Sequence, residues 1–482
     1  MLSPIPLSMY STKGLYLEPL IEKPESEIIE DLKKLIEKSM DFPDKFGIMF
    51  SGGIDSTLIA HLTKKANKDF ICYTVSVGES KDLQAAKQIA EEYNFPLKII
   101  GVDVERCIPK VIDIINDTNI VKVSVGIVTY AVCEQAKKDG INILYGGLGA
   151  EDIFAGYKRH KDSNSINQEC LNGLKIIYEK DISRDESIAK TFDVTLKAPY
   201  LNRKLVEYSL RIPGELKIDK NNNKNILRKT AEYFGIKEKY CQRKKVAAQY
   251  GSNVDKEIEK LAKEYPTKED YLKSYVKDIK LGALVSGGKD SWLALWLMHK
   301  RGYNISCLLN IDSENKESYM FHTARIDLVK DQAKQSKIPL IVHKTKGVKE
   351  EELKELKELI QKAIDEHSIQ GITTGALYSD YQRERVEKIC EELNIKCISP
   401  LWHMDQEEEL KLLLKENFEV AIVHTAADRL DDTWIGRVLD NKTIEELKQL
   451  NKKVELNIAA EGGEYETMVL NMPMFKEKLS LQ

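Results

Sequence analysis

Apolar runs of strand length alternate with amphipathic stretches along this chain, and they do so twice. In the first half, residues 46–50 (FGIMF), 70–77, 97–102 and 141–145 are such runs, while 82–93 and 128–138 repeat apolar positions at helical spacing. In the second half, 281–285 (LGALV), 305–311, 340–343, 371–375, 397–400 and 420–424 read as strands, and 323–336, 350–366 and 383–393 as helices. Alternation of this kind predicts parallel sheets with helices on both faces, hence two doubly wound α/β modules. Residues 25–40 form an amphipathic helix expected to pack on the first sheet. Residues 255–280 are crowded with both signs of charge and read as a solvated helical linker. The expected organisation is a helical extension over 1–45, one module over 46–254, a charged linker over 255–279 and a second module over 280–482.

The two modules share a motif. Ser-Gly-Gly-x-Asp-Ser occurs at 51–56 (SGGIDS) and again at 286–291 (SGGKDS), each time between an apolar run and a helical pattern. Composition alone gives on the order of one such match per million positions, so the repeat is not accidental. A loop of small residues at the N-terminus of a helix points backbone N–H groups at an anion, and the helix dipole adds attraction. Gly52 and Gly53, like Gly287 and Gly288, remove the Cβ atoms that would block close approach. The hydroxyls of Ser51, Ser56, Ser286 and Ser291 add donors. Neither copy ends in the Gly-Lys-Ser/Thr of a Walker loop. Asp55 and Asp290 offer the hard oxygen that Mg²⁺ requires beside phosphates.

Composition narrows the reading. The 482 residues carry a net charge of -4, with 31% charged residues. That balance argues against stable nucleic-acid binding and for an ion-pair-rich surface. The eight cysteines include no CxxC pair, which reads as reduced thiols and counts against sulfur relay. The eight histidines are dispersed and no HExxH occurs, so Mg²⁺ is the only metal expected. No basic leader and no stretch of about 18 apolar residues is present, so a cytoplasmic location without membrane contact is expected.

In the second half, Glu461, Glu464 and Glu466 flank Gly462 and Gly463, placing three carboxylates on a loop that can approach a ligand. Glu461 or Glu464 is the candidate proton acceptor, the remaining carboxylates serving metal or substrate. Gly375, Ser379, Asp380, Tyr381 and Arg385 form a loop-to-helix transition suited to substrate binding, more than capping requires. Packing and stacking are both open to Trp402.

The strand-SGGxDS-helix arrangement resembles the pyrophosphate loop of the ATP pyrophosphatase superfamily. The segments 318–323 (SYMFHT), 371–385 (GITTGALYSDYQRER), 400–402 (PLW) and 461–467 (EGGEYET) together resemble the diphthine–ammonia ligase family over about 279–482. Residues 426–437 (AADRLDDTWIGR) are similar to its archaeal branch, with Arg429 where glycine is usual. The resemblance implies ATP-dependent amidation of diphthine on a translation elongation factor, with ammonium as nitrogen donor and an acyl-adenylate intermediate.

Residues 147–157 (GLGAEDIFAGY), 198–202 (APYLN), 205–216 (LVEYSLRIPGEL) and 243–252 (RKKVAAQYGS) resemble the synthetase domain of asparagine synthetases over about 46–252. That resemblance implies a similar activation of a carboxyl group by ATP, with Lys245 as catalytic lysine. The family's first glutamate in Gly-Glu-Gly-x-Asp-Glu is Leu148 here, which moves no proton; Glu151 keeps a carboxylate that can hold metal. With Leu2 at the second position and about 45 residues before the loop, no glutaminase domain with an N-terminal cysteine is expected. Two other readings stay open: an ammonia-dependent asparagine synthetase, and a first half that is a non-catalytic nucleotide-binding or docking module.

Overall fold

A computed structural model describes residues 14–219, 222–243, 247–313, 326–345, 351–427, 430–454 and 456–481. The chain forms two compact units that divide between Leu272 and Lys273. In the first, β1 (Lys45–Met49), β2 (Asp69–Ser76), β3 (Leu97–Gly101), β4 (Ile143–Tyr145) and β5 (Thr195–Lys197) form one sheet in the order β3-β2-β1-β4-β5. All neighbours are parallel, with Phe46 opposite Phe70. In the second, β6 (Lys280–Leu284), β7 (Asn304–Ser313), β8 (Leu340–Thr345), β9 (Gly371–Thr373) and β10 (Lys396–Ile398) give β10-β9-β6-β7-β8, again parallel.

The two orders are one topology. The first strand of each unit lies at the centre, and successive strands are added outward in opposite directions on its two sides. Such a reversal opens a crevice beyond the carboxyl end of the central strand, where α/β sheets bind ligands. Both SGGxDS loops sit there, after β1 and after β6. The central strands are apolar because both of their faces are covered: Phe46, Ile48, Leu281 and Ala283 are fully buried.

Three expectations need correction. Residues 420–424 do not extend the parallel sheet. They lie in β11 (Glu419–Thr425), which pairs antiparallel with β12 (Tyr465–Asn471), His424 facing Glu466. The polar Glu466 and Thr467 near the start of β12 hide its strand character. The helix Glu25–Ser39 buries Ile28, Leu32 and Ile36, but packs chiefly on the helices Arg203–Leu210 and Asn225–Tyr233 rather than on the strands. The charged segment after 254 is not a solvated linker throughout. Its helix Val254–Leu261 buries Val254 and Ile258 against the helices Val104–Ile115 and Ile120–Lys138, and Lys268 pairs with Asp255 at 2.9 Å. Its many charges lie on the opposite face and conceal this apolar stripe.

Among the described residues no helix is long and apolar enough to cross a membrane.

Burial, reinforced by Asp185, pushes the Glu186 carboxyl from about 4.5 up to about 7. A folded pKa above the unfolded one means stability falls as pH rises through that interval and stays lower above it. Glu186→Gln should therefore stabilise the chain at pH 8 by roughly 1–2 kcal/mol after allowance for partial exposure, and leave it unchanged at pH 4. Thermal midpoints at the two pH values check this.

Candidate active site

The two loops fold alike down to individual hydrogen bonds. The Ser51 N–H donates to Ser56 Oγ at 3.4 Å and the Ser286 N–H to Ser291 Oγ at 3.3 Å. The Gly53 and Gly288 N–H groups donate to the first serine of their loop at 3.3 and 3.4 Å. The last serine closes each turn by donating to the Gly53 or Gly288 carbonyl, at 3.2 and 3.0 Å. The left-handed turn falls on Gly52 (φ 65°) and Gly287 (φ 92°). A Cβ at Gly287 would stand 2.8 Å from Met468 Sδ, and one at Gly52 would stand 3.0 Å from the Ala86 nitrogen. The helices Ile54–Lys65 and Lys289–Lys300 begin at Gly53 and Gly288, which supply no side-chain cap of their own.

The charged groups around each loop also match, although the chain assembles them differently. Asp55 is buried and both its oxygens contact Lys224 Nζ, at 2.7 and 2.6 Å. Lys224 also pairs with Glu151 at 2.6 Å. In the second unit, Lys289 Nζ contacts Asp290 Oδ1 at 2.6 Å and Glu409 Oε1 at 2.9 Å. Each unit thus holds a buried ammonium between the loop aspartate and a glutamate. The two aspartates differ in access: the Asp55 side chain is 5% exposed and that of Asp290 is 36% exposed. Burial would lower the Lys289 pKa, but Asp290 and Glu409 outweigh it and hold the ammonium above the usual lysine range. Burial, then Asp290, pushes the Glu409 carboxyl well up against the pull of Lys289.

Around the second loop, Glu461 is half-buried. Burial, then the charge of Asp290, raises its pKa, while Lys289 and then the backbone N–H groups of Tyr378 and Leu377 oppose the rise. Glu464 turns the other way: its carboxylate accepts from the backbone N–H groups of Gly462 at 2.9 Å and Asn457 at 3.3 Å, bracing the glutamate loop. Glu466 lies in β12 across from His424. Thr467 Oγ1 accepts from the Lys289 N–H at 3.1 Å, which ties β12 to the phosphate loop. Gly375 packs on the same loop, where a Cβ would come within 2.7 Å of the Asp290 carbon and the Ser291 nitrogen. Its glycine is needed by the backbone whatever binds above. Ser379 precedes, and Asp380, Tyr381 and Arg385 lie in, the helix Asp380–Glu392. The Arg383 guanidinium stacks 4.1 Å above the Trp402 ring, which gives that tryptophan a packing partner within the chain. The segment 318–323 and Arg429 lie outside the described residues.

In the first unit, Leu148 packs against the apolar core. Glu151 holds Lys224, as does Asp55, so both carboxylates read as metal ligands face an ammonium in this structure. Burial pushes the neighbouring Asp152 up to about 6 against the opposing charges of Lys180 and Arg159. Arg243 donates to the Ser51 carbonyl at 3.3 Å and pairs with Asp82 at 2.9 Å, reaching the loop from the 243–252 motif. Lys245 lies outside the described residues. Among the described residues no group of three or more His, Cys, Asp or Glu is arranged to hold a metal ion.

Sequence reasoning passed over Lys224, Lys289 and Glu409. Lys224 opens the basic run 224–245, for which a solvated helix face and contact with phosphates are both open readings, yet it is 2% exposed and ion-paired. Lys289 occupies the variable position of SGGxDS. Glu409, in the run QEEEL, has no local signal at all.

Comparison with known proteins finds a different family over each half, the first match running past the unit boundary through the second loop. The asparagine synthase family matches residues 27–171 and 162–298, the diphthamide synthase N-terminal domain 279–397, and the diphthamide synthase C-terminal domain 405–482. Human diphthine–ammonia ligase is 32% identical over 220 residues, covering 42% of this chain and 82% of the human protein. The corresponding rat protein matches to the same extent. A candidate glutamine-hydrolysing asparagine synthetase of Methanocaldococcus jannaschii is 32% identical over 275 residues, covering 48% of this chain. The chain spans 50% of that relative's length. Among solved structures, the U34-tRNA thiolase NcsA of Methanococcus maripaludis covers 52% of the chain at 15% identity with a TM-score of 0.27. Loop, sheet order and sequence together say that the chain belongs to the asparagine synthase family through its first half and to the diphthine–ammonia ligase family through its second.

Proposed function

We propose that the second unit amidates diphthine on a translation elongation factor, using ATP and ammonium and releasing AMP and pyrophosphate. The observation that carries this reading is the accessible Asp290 at an anion-ready loop, with the half-buried Glu461 beside it. The loop N–H groups and hydroxyls of Ser286, Gly287, Gly288 and Ser291 bind the phosphates, and Asp290 is the hard oxygen donor for Mg²⁺. Gly375, Ser379, Asp380, Tyr381 and Arg385 line the approach of the protein substrate. The diphthine carboxylate attacks the α-phosphorus and pyrophosphate leaves. Ammonia then attacks the acyl carbon and AMP leaves. Glu461 takes the proton of the incoming ammonium, a task suited to a carboxylate whose pKa is raised by burial. Glu464 holds the loop that carries it, and Glu466 positions substrate. The reaction takes place in the cytoplasm, where the elongation factor works.

The first unit is read as a nucleotide-binding module with a supporting or docking role. Lys245 is its candidate catalytic lysine, and Ser51, Gly52, Gly53 and Ser56 bind ATP. Leu148 in place of a proton-transferring glutamate argues against asparagine synthesis. Release of AMP from the full chain tests the choice: diphthine-bearing factor with ammonium should accelerate it and free aspartate should not. Acceleration by aspartate alone would replace this reading with the asparagine synthetase.

A further inference from the structure

We infer that Lys289 and Glu409 are positioning residues of the second site, a buried ammonium and its anchor that fix the Asp290 carboxylate at the mouth of the loop. Lys289 is 1% exposed and Glu409 is fully buried, whereas Asp290 reaches solvent. A lysine in the first turn of a helix opposes the macrodipole, and a buried ion pair is seldom worth more than an apolar pair of the same shape, so helix or core stability gives little reason for it. The first unit supplies the independent observation. There Ile54 stands at the position of Lys289, and the ammonium comes instead from Lys224, 169 residues away along the chain, yet it too bridges the loop aspartate and a glutamate, Glu151, whose side chain is 13% exposed. Two units that reach one constellation by different routes share a requirement for the ammonium, not for the element that carries it. Glu409 holds Lys289 and also contacts the Asp290 carboxyl, and Lys289 in turn holds Asp290 Oδ1, so the pair fixes a carboxylate that is still 36% exposed.

The inference rests on the reading of Asp290 as the oxygen donor beside the phosphates. Its test is the full chain carrying Lys289→Met with Glu409→Leu, which removes the pair without stranding either charge and so keeps the fold. The double variant should retain the wild-type melting midpoint within a few degrees. The Mg²⁺ concentration for half-maximal amidation should rise roughly 10–100-fold, and calorimetric titration with ATP and Mg²⁺ should show one class of site weakened by a similar factor. Glu409→Gln, which keeps the shape and removes the anchoring charge, should move both readouts the same way. A folded variant with wild-type Mg²⁺ dependence and binding would overturn the inference. Wild-type chain that binds ATP but leaves diphthine unmodified would instead sink the functional reading, and the calorimetry would still decide the role of the pair.

Discussion

Asp290→Asn is expected to lower amidation about 10²–10³-fold, the scale on which removal of one electrostatic contact to a developing charge is felt, while Asp55→Asn leaves most of it. The two substitutions are chemically identical and fall at the same place in two loops with the same hydrogen bonds. Their consequences differ because Asp290 faces solvent and Asp55 is closed under Lys224. For Asp55→Asn the main cost is structural: a buried lysine loses a charge partner, worth about 3–5 kcal/mol, offset in part by Glu151. The first unit should accordingly melt at lower temperature. Rates of amide formation and calorimetric melting, measured on both variants, separate the two effects. Equal loss of amidation from both would mean that the halves act as one site.

Glu461→Gln is the second large effect. A positioned base contributes roughly 10²–10⁴-fold, so a fall in kcat of that order is expected, with little change in the KM for ATP. The sign of the pH dependence comes from the raised carboxyl. Wild-type kcat should fall as pH drops through the Glu461 pKa, because a protonated carboxyl accepts no proton, and the glutamine variant should lose that acid limb. Glu464→Gln should behave differently. Its carboxylate serves the N–H groups of Gly462 and Asn457, so the variant should loosen the loop and raise KM more than it lowers kcat. An unchanged pH profile in Glu461→Gln would transfer the base to another group.

How much of the fold and the site was legible in the sequence varies with the physics. The loops were readable because each position is constrained locally: Gly52 and Gly287 take positive φ, and serines at both ends close the turn on themselves. The apolar runs 46–50 and 281–285 were readable because central parallel strands admit no polar face. β12 was not readable from its first residues, since Glu466 and Thr467 stand where a strand pattern wants apolar side chains. The Asp–Lys–Glu groupings were invisible for another reason. Lys224 and Glu409 are joined to their loops by packing across 169 and 120 residues, and nothing in NKNIL or QEEEL announces it. The charge-rich segment after 254 was misread because composition outweighed the apolar stripe of Val254 and Ile258.

The most direct measurement is incorporation of isotope-labelled ammonium nitrogen into the diphthine-bearing elongation factor, followed together with AMP, in the presence of the full chain, ATP and Mg²⁺. The account predicts one labelled nitrogen for each AMP formed. AMP without label in the factor, or no AMP at all when factor and ammonium are both present, would contradict it.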